Sequence, residues 1–326
     1  MKDLKQKILK NVNKDLQEIE IALSENLRPN LEVVSEIAKH ILFSGGKRLR
    51  PLLFILCSRL CQYTSSNMLA FSTIFEYLHA ATLLHDDFID NATLRRGAAA
   101  AHTVWGNEIT VLTGDFLLAR SICIATGTEN PKVVKIVSQI TENMAQGEID
   151  QLESRGNTDI SEDNYKEIIR RKTAVLFQAA CSVSAVIASA TEEQYEALSE
   201  FGSNLGMAFQ IADDLLDYTA STLSIGKKVG ADLREGKITI PLIHTLKLAS
   251  TKDRNFIESI IKKGDFSLRQ FAELMNLLDQ YGGIKYAKKR ASEHIDLAKS
   301  AILKFPPSKT QEILLDIADY ALVRKH

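Results

Sequence analysis

Residues 75–90 read FEYLHAATLLHDDFID, a largely apolar stretch that ends in an aspartate cluster at 86–90. A second stretch, FQIADDLLDY at 209–218, carries the same DDxxD pattern at 213–217. Residues i and i+4 lie about 40° apart around a helix, so the outer aspartates of each cluster share one helix face. The sequence therefore predicts two apolar helices, each with a pair of carboxylates on one side.

Carboxylates on helices this apolar need a partner, because such helices are buried. Like charges four residues apart repel each other, and an unpaired buried carboxylate is costly. An acidic surface patch would explain one such cluster, but it does not explain two on apolar helices. Hard cations relieve both costs, since Mg²⁺ prefers oxygen ligands and commonly bridges carboxylates to substrate phosphates. Zinc would call for histidine or cysteine, and His85 alone adjoins the first cluster. The clusters therefore predict a magnesium site that faces a phosphorylated substrate.

The rest of the chain repeats apolar residues every three or four positions, as is typical of helices. The first such series is Leu4, Ile8, Val12, Leu16, Ile19 and Leu23. Similar stretches follow at 50–63, 67–91, 108–126, 131–153, 161–190, 192–220, 238–250, 267–280, 283–304 and 308–324. Ser161, followed by Glu162 and Asp163, predicts a capped helix start. We see no alternating strand pattern, repeat or linker, and predict an all-α fold with one domain over residues 1–326.

Net charge, cysteine content and the length of apolar runs indicate which partners and which cellular compartment to expect. A net charge of -1, from 40 basic and 41 acidic residues, argues against a nucleic-acid partner. Four cysteines without a CxxC pair favour a reducing cytoplasm, and Cys57 and Cys61 are expected in the core rather than on a metal. The first ten residues lack the apolar region of a signal peptide. Apolar runs such as 52–57 are far shorter than the ~20 residues that span a bilayer, so we predict no stable membrane anchor.

Four breaks between the helices combine glycine with basic residues, at 44–51, 95–107, 153–161 and 224–237. Glycine lets the backbone approach a ligand closely, and lysine and arginine suit phosphate. Each break alone is explained as a solvated loop. Together with the aspartate clusters, they predict a cavity in which metal ions hold a diphosphate between two acidic helices while basic loops close around it.

The motifs, in this order, resemble those of the trans-isoprenyl diphosphate synthases, most closely long-chain members such as the octaprenyl diphosphate synthases. The resemblance covers nearly the whole chain. Besides the two clusters, it is carried by GGKRLRP at 45–51, RRG at 95–97, VLTGDFLLAR at 111–120, MAQGEIDQL at 144–152 and GADLREGK at 230–237. It implies the isoprenoid synthase fold, in which antiparallel helices surround a central catalytic cavity.

The resemblance also implies a role for each matching residue. Isopentenyl diphosphate would be bound by Lys47, Arg50, His79 and Arg96. The allylic diphosphate would be bound by Arg95, Lys172, Thr173, Gln210, Lys237 and either Lys227 or its neighbour Lys228. Two Mg²⁺ ions would be bound by Asp86 and Asp90 and a third by Asp213, supported by Asp87, Asp214 and Asp217. The residues expected to act most directly in catalysis are Asp86, Asp90, Arg95, Lys172, Asp213 and Lys227.

The implied reaction is a head-to-tail condensation. The allylic diphosphate ionises to a carbocation, the isopentenyl double bond attacks it, and a proton is lost, which the resemblance assigns to the departing pyrophosphate. Fixed positive charge at the diphosphate would stabilise the leaving group, and an apolar cavity would keep water from quenching the cation. The resemblance further implies farnesyl or geranyl diphosphate as the primer, and a homodimer.

Product length would depend on a tunnel beside the helix at 67–91. Ala81 and Thr82 precede Asp86 by five and four residues, where short-chain relatives carry an aromatic. These small side chains predict an open tunnel, and the helix from 68 to 89 is about 33 Å long, enough for about seven or eight isoprene units. Tyr77, one turn deeper, would cap the tunnel early in the alternative reading. We predict a C35–C50 product, near C40, with C15–C20 as the alternative.

Three rival functions deserve comparison. A terpene cyclase on the same fold usually replaces the second DDxxD cluster and would not need GGKRLRP at 45–51. A non-catalytic partner subunit of a related synthase tends to lose acidic or basic motif residues, and this chain keeps them. A plain helical scaffold leaves the paired carboxylates on apolar helices unexplained.

Overall fold

The computed structural model describes residues 2–219 and 230–323, most of which are helical. The helices are α1 (Lys2–Leu27), α2 (Glu32–Phe43), α3 (Leu49–Leu60), α4 (Met68–Ile89), α5 (Ala101–Trp105), α6 (Asn107–Thr126), α7 (Pro131–Glu153), α8 (Glu162–Ile169), α9 (Val175–Ile187), α10 (Glu192–Thr219), α11 (Ala231–Arg234), α12 (Ile240–Leu248), α13 (Thr251–Lys263), α14 (Leu268–Gln280), α15 (Gly283–Ile302) and α16 (Lys309–Val323). A short π-helical segment, Arg170–Ala174, joins α8 to α9. The prediction of an all-α fold is confirmed.

Four helices and one hairpin differ from the sequence prediction, and two of these helices, α5 and α11, are short and lie within predicted breaks. The α2 helix has no side-chain cap at Leu31, so the usual start signal is missing from the sequence. The α13 helix is mostly polar or charged and buries only Ile257, Ile260 and Ile261, which makes its periodicity weak. The hairpin pairs β1 (Leu94–Arg95) with β2 (Ala98–Ala99) antiparallel. Strands of two residues are too short to produce an alternating pattern.

The hydrophobic core consists of two clusters that share α10. The first half of α10 contributes Phe201 and Leu205 to a large cluster with α1–α4, α6, α7 and α9. The second half contributes Ile211 and Leu215 to a smaller cluster with α8 and α12–α14. One continuous helix thus serves both clusters, and a single domain over residues 1–326 stays a prediction. That helix also carries the second aspartate cluster at its end, next to the boundary between them.

The α6 helix is the one described helix that is long and apolar enough to cross a membrane by length and composition. The sequence predicts a helix at 108–126 but does not predict this property of it. The helix packs along α4 and buries Leu117 and Ile124 in the larger core cluster. Core helices of this kind meet the same length and composition criterion, so it is weak evidence for a membrane span.

Candidate active site

The two aspartate clusters line one cavity of about 540 Å³, named here the acidic chamber. The first cluster lies at the C-terminal end of α4 and the second at the C-terminal end of α10. The carboxylates that line the chamber are Asp86, Asp87, Asp90, Asp213, Asp214, Asp217, Asp232 and Glu235. The basic and polar residues that line it include Arg95, Arg96, Lys172, Thr173, Gln210 and Lys237. The structure therefore brings together residues that are far apart in the sequence.

The first cluster is surrounded by cationic side chains. Arg95 donates a hydrogen bond from Nε to Asp87 Oδ2 at 2.5 Å. Asp90 accepts a hydrogen bond from the guanidinium of Arg155 at Oδ1. Its other oxygen, Oδ2, lies 3.5 Å from the Lys237 ammonium. Each carboxylate of this pair thus has a positively charged partner from another segment of the chain.

Burial and charge act in opposite directions within this cluster. Burial, together with the nearby carboxylates of Glu148 and Asp90, raises the pKa of Asp86 to about 6, although Lys172 opposes the shift. Burial would also raise the pKa of Asp90, but Lys237, Lys172 and Arg155 outweigh it and lower that pKa. The Lys172 ammonium lies 3.7 Å from Asp86 Oδ2 and also pairs with Glu148.

The second cluster is held by neutral donors. Asp214 accepts hydrogen bonds from the Tyr165 hydroxyl and, at 2.7 Å, from the Gln210 amide. Asp217 accepts from the backbone N–H groups of Ala231 and Asp232 at 3.0 and 3.1 Å. Those N–H groups belong to the first turn of α11, where helix N–H groups point at anions.

The pKa values of Asp214 and Asp217 are raised. Burial and the carboxylate of Asp232 raise the pKa of Asp217 to about 7. The same two causes raise the pKa of Asp214 well above its usual range, although the Tyr165 and Gln210 hydrogen bonds oppose the shift. A bound cation would favour the charged form of both groups.

The π-helical segment Arg170–Ala174 places two predicted residues between the clusters. Lys172 faces the first cluster and donates a 2.6 Å hydrogen bond to Gln151 Oε1. Thr173 faces the second and donates a 2.8 Å hydrogen bond to Gln210 Oε1. The segment packs closely on α7, since a Cβ at Gly147 would lie 2.7 Å from the backbone nitrogen of Lys172. The prediction of one helix over 161–190 missed this change of pitch, although Ser161 does cap α8 as predicted.

The hairpin turn orients the two arginines of RRG. Arg96 and Gly97 both have positive φ, as a two-residue type I′ turn requires. Arg96 donates a hydrogen bond to the Gly45 carbonyl, and His40 Nε2 lies 2.9 Å from the Ala99 carbonyl oxygen. A non-glycine residue with positive φ is uncommon, so the surrounding contacts maintain Arg96 in this conformation.

A second cavity of about 850 Å³ adjoins the acidic chamber. Residues that line both cavities are Asp86, Arg95, Arg96, Lys172, Thr173, Gln210 and Asp213. One side of the second cavity is basic and is lined by Lys47, Arg50 and His79. Burial, followed by Arg50, Arg96, Arg95 and Arg48, lowers the pKa of His79 well below its usual range, so its ring is neutral at pH 7.

The remaining walls of the second cavity are mainly apolar. Ala81 and Thr82 line it, as the tunnel prediction requires, whereas Tyr77 is turned away and donates a 2.6 Å hydrogen bond to the Leu23 carbonyl on α1. Residues of α4 from Glu76 to Ile89 contribute to the lining, and residues nearer the helix start, such as Phe75, are buried in the core. From 76 to 89 the helix spans about 21 Å, which is shorter than the tunnel predicted along all of α4.

Sequence reasoning missed several residues at this site. Arg48 of GGKRLRP is buried and bonded to Glu20, Glu76 and the Leu42 carbonyl, so it anchors the loop. The contacts made by Glu148, Gln151, Arg155, Tyr165 and Asp232 were not predicted. Glu148 and Gln151 stand in the quoted motif at 144–152, which was the available signal. Lys227 and Lys228 lie outside the described residues.

The donor set fits magnesium better than zinc. The chamber offers carboxylate oxygens, which magnesium prefers, and burial and Asp232 raise the pKa of Asp217, which a bound cation would offset. Within residues 2–219 and 230–323, no three histidine, cysteine, aspartate or glutamate side chains converge closely enough to hold a metal ion alone. Magnesium often takes one or two carboxylates, several waters and the substrate phosphates, so this arrangement suits binding together with a diphosphate.

Comparison with known proteins gives full-length matches. Residues 31–278 match the family model described as polyprenyl synthetase. The chain is 35% identical to octaprenyl diphosphate synthase of Escherichia coli strain K12 over 321 residues, 98% of either chain. It is 32% identical to a short chain isoprenyl diphosphate synthase of Methanothermobacter thermautotrophicus, covering 90% of this chain and 91% of that protein. The names of these relatives therefore range from short to long products.

A solved structure matches equally well. Polyprenyl synthase from Caulobacter crescentus CB15, complexed with calcium and isoprenyl diphosphate, superposes with a TM-score of 0.92 and 34% identity. The match covers 98% of this chain and 98% of that one.

Proposed function

The chain belongs to the polyprenyl synthetase family and is a prenyltransferase, and from this premise we propose that it condenses isopentenyl diphosphate head-to-tail onto an allylic diphosphate. The main support for this proposal is that the acidic chamber and the second cavity share lining residues. Asp86, Lys172 and Asp213 line both spaces. An allylic diphosphate fits this division, with its charged head in the chamber and its apolar tail in the cavity.

We propose that Mg²⁺ is the metal, with three ions in each active site. Asp86 and Asp90 would hold two and Asp213 the third, with Asp87, Asp214 and Asp217 in support. When bound, the ions would supply positive charge that stabilises the departing pyrophosphate. Family members are metal-dependent, and the raised pKa values of Asp86 and Asp217 indicate that these carboxylates gain from a nearby cation.

The remaining polar residues would bind and orient the two diphosphates. Those proposed for the allylic diphosphate are Arg95, Lys172, Thr173, Gln210, Lys227 and Lys237. Those proposed for isopentenyl diphosphate are Lys47, Arg50, His79 and Arg96. The neutral ring of His79 would contribute a hydrogen bond rather than charge. Fixed donors of this kind lower the barrier because they are already aimed at the charge that develops on the leaving group.

The apolar walls of the second cavity would protect the carbocation from water. Leu118, Met144, Leu176 and Phe209 contribute to these walls. Attack by the isopentenyl double bond forms the new carbon–carbon bond, and the departing pyrophosphate takes the proton that is then lost. The two substrates must meet at the shared wall, between the basic side of the second cavity and the acidic chamber.

We propose a long-chain, all-trans product of C35–C50, near C40. The small side chains of Ala81 and Thr82 support it, since both line the cavity. The lining along α4, about 21 Å long, holds only about five isoprene units at the spacing used above, fewer than a C40 product needs. Growth to C40 therefore requires side chains beyond Glu76 to move aside.

The test is incubation with Mg²⁺, farnesyl diphosphate and isopentenyl diphosphate, with products sized by mass spectrometry and a chelator-treated control. A ladder that ends near C40 is the expected result. A ladder that stops at C20 would keep the reaction and reject the long-chain product. No condensation with either farnesyl or geranyl diphosphate would reject catalysis and favour the partner-subunit function.

Ala81→Phe tests the tunnel directly. The phenyl ring would fill the cavity beside Thr82, so we expect the longest product to shorten by several isoprene units. Tyr77→Phe is the matched control, because Tyr77 faces α1 and its change should leave the product length unaltered. An unchanged product length in Ala81→Phe would show that the tail does not pass this residue.

We also propose a cytoplasmic homodimer. Val104, Ile109 and Leu112 on α5 and α6 are large apolar residues that are exposed, with 64% exposure at Leu112. A second copy that covers this face would bury them. Sedimentation velocity of the purified protein should give about twice the chain mass of 36.3 kDa, and a monomer would reject the homodimer.

A further inference from the structure

Arg155, in the predicted basic loop at 153–161, contacts the first aspartate cluster, although the proposed roles do not include it. It lies in the turn after α7, and its guanidinium donates a hydrogen bond to Asp90 Oδ1. Its side chain is 30% exposed, so the contact stands at the edge of the acidic chamber. An arginine that binds a carboxylate oxygen occupies a position that a metal ion would need.

The base of this arginine is fixed to the loop that carries Lys237. The Gly156 N–H donates a 2.8 Å hydrogen bond to the Gly236 carbonyl. Gly236 has positive φ, and a Cβ there would lie 3.2 Å from the Gly156 nitrogen. Only glycine suits this close approach, so the two backbone segments are held together. Arg155 and Lys237 therefore reach Asp90 from one connected unit.

Asp90 consequently has a cation at each carboxylate oxygen. The Arg155 guanidinium binds Oδ1, and the Lys237 ammonium lies 3.5 Å from Oδ2. A divalent ion that arrives alone must displace at least one of these groups and leave its charge without a partner. An ion that arrives with a diphosphate supplies new anionic oxygens for the displaced cation. Metal and diphosphate should then bind together more favourably than either does alone.

We propose that Arg155 is a positioning residue that occupies Asp90 in the resting enzyme and so makes metal binding at the first cluster depend on the diphosphate. This inference rests on the proposed function of the chamber. Arg155 competes with free metal ions for Asp90 and turns to the diphosphate when the metal and the substrate enter together. The coupling would prevent the acidic chamber from filling with metal before substrate is present.

The test measures binding of free Mn²⁺ by electron paramagnetic resonance, with and without inorganic pyrophosphate. Arg155→Gln should bind free Mn²⁺ about ten-fold more tightly than wild type, because the guanidinium that competes for Asp90 is removed. A ten-fold change in affinity corresponds to about 1.4 kcal/mol of binding free energy. With pyrophosphate present, the two proteins should differ much less. Arg254→Gln is the matched control, since Arg254 pairs with Asp159 and Glu258 and lines neither cavity.

Unchanged or weaker binding of free Mn²⁺ by Arg155→Gln would overturn the inference, and weaker binding would mean that Arg155 orients Asp90 for the metal. Arg155→Met, which keeps the aliphatic stem, serves the same test if the glutamine variant does not fold. Condensation by the wild-type enzyme is measured separately. Product formation together with unchanged Mn²⁺ binding would reject only this inference, whereas loss of condensation in wild type would reject the proposed function.

Discussion

The two aspartate clusters have the same DDxxD sequence but opposite surroundings. In the first, Asp87 and Asp90 are paired with the cations Arg95, Arg155 and Lys237. In the second, Asp214 and Asp217 accept hydrogen bonds from a hydroxyl, an amide and two backbone N–H groups, all of which are neutral. Asp87 and Asp90 are thus balanced by charge, whereas Asp214 and Asp217 are balanced by dipoles.

This difference appears in the pKa values. The surrounding cations lower the pKa of Asp90 against the effect of burial, whereas burial and Asp232 raise the pKa of Asp217 to about 7. The DDxxD motif therefore does not by itself determine whether its aspartates are protonated. The second cluster has more to gain from a divalent cation, because neutral donors do not cancel the repulsion between its carboxylates.

The largest expected effect comes from removal of a single aspartate from either cluster. Asp86→Ala and Asp213→Ala should each lower kcat by about 10³-fold or more, because each loses a carboxylate that would hold the charge-stabilising metal. Steady-state kinetics with farnesyl and isopentenyl diphosphates measures the effect, and the melting temperature checks folding. Asp253→Ala, which alters an acid that lines neither cavity, is the control. Near-normal activity in either variant would contradict the metal assignment for that cluster.

An intermediate effect is expected from pH, and it tests the raised pKa values of Asp86 and Asp217. The pKa values of Asp217 and Asp86 in the folded protein, about 7 and about 6, both exceed the ordinary aspartate value near 4. Between about pH 4 and pH 7 the folded state therefore binds more protons than the unfolded state. The stability of the metal-free protein should therefore fall as pH rises from about 4 to about 7. Mg²⁺ at the second cluster needs Asp217 ionised, so it should raise the melting temperature more at pH 8 than at pH 5.5. Calorimetry that gives equal Mg²⁺ shifts at both pH values would contradict the raised pKa values.

The smallest expected effect comes from Tyr165→Phe, which removes one neutral donor from Asp214. Loss of one buried hydrogen bond should lower kcat/KM by about ten-fold, with Gln210 still in place. Tyr281→Phe is the matched control, because the Tyr281 hydroxyl bonds Asp253, which lines neither cavity. A loss as large as that of Asp213→Ala would show that the tyrosine contributes as much as a metal-binding carboxylate.

Sequence patterns predicted the parts of the molecule that depend on local spacing. The long amphipathic helices, the cap at Ser161 and the shared helix face of Asp86 and Asp90 follow from residues within a few positions of each other. The spacing could not predict the π-helical segment that carries Lys172, because the packing of Gly147 against it joins distant segments. It could not show that Tyr77 faces α1, because side-chain direction depends on which helix lies opposite.

By itself, the sequence determined that this chain is a helical protein with two acidic clusters suited to metal and diphosphate, since helix periodicity and carboxylate spacing are local properties. Only the tertiary structure decided which charges neutralise Asp90, which neutral groups hold Asp214, and where the second cavity ends. These depend on contacts such as Asp90 with Arg155 and Asp214 with Tyr165, whose partners come from separate segments. Electrostatic energy depends on distance in space, and folding alone sets those distances.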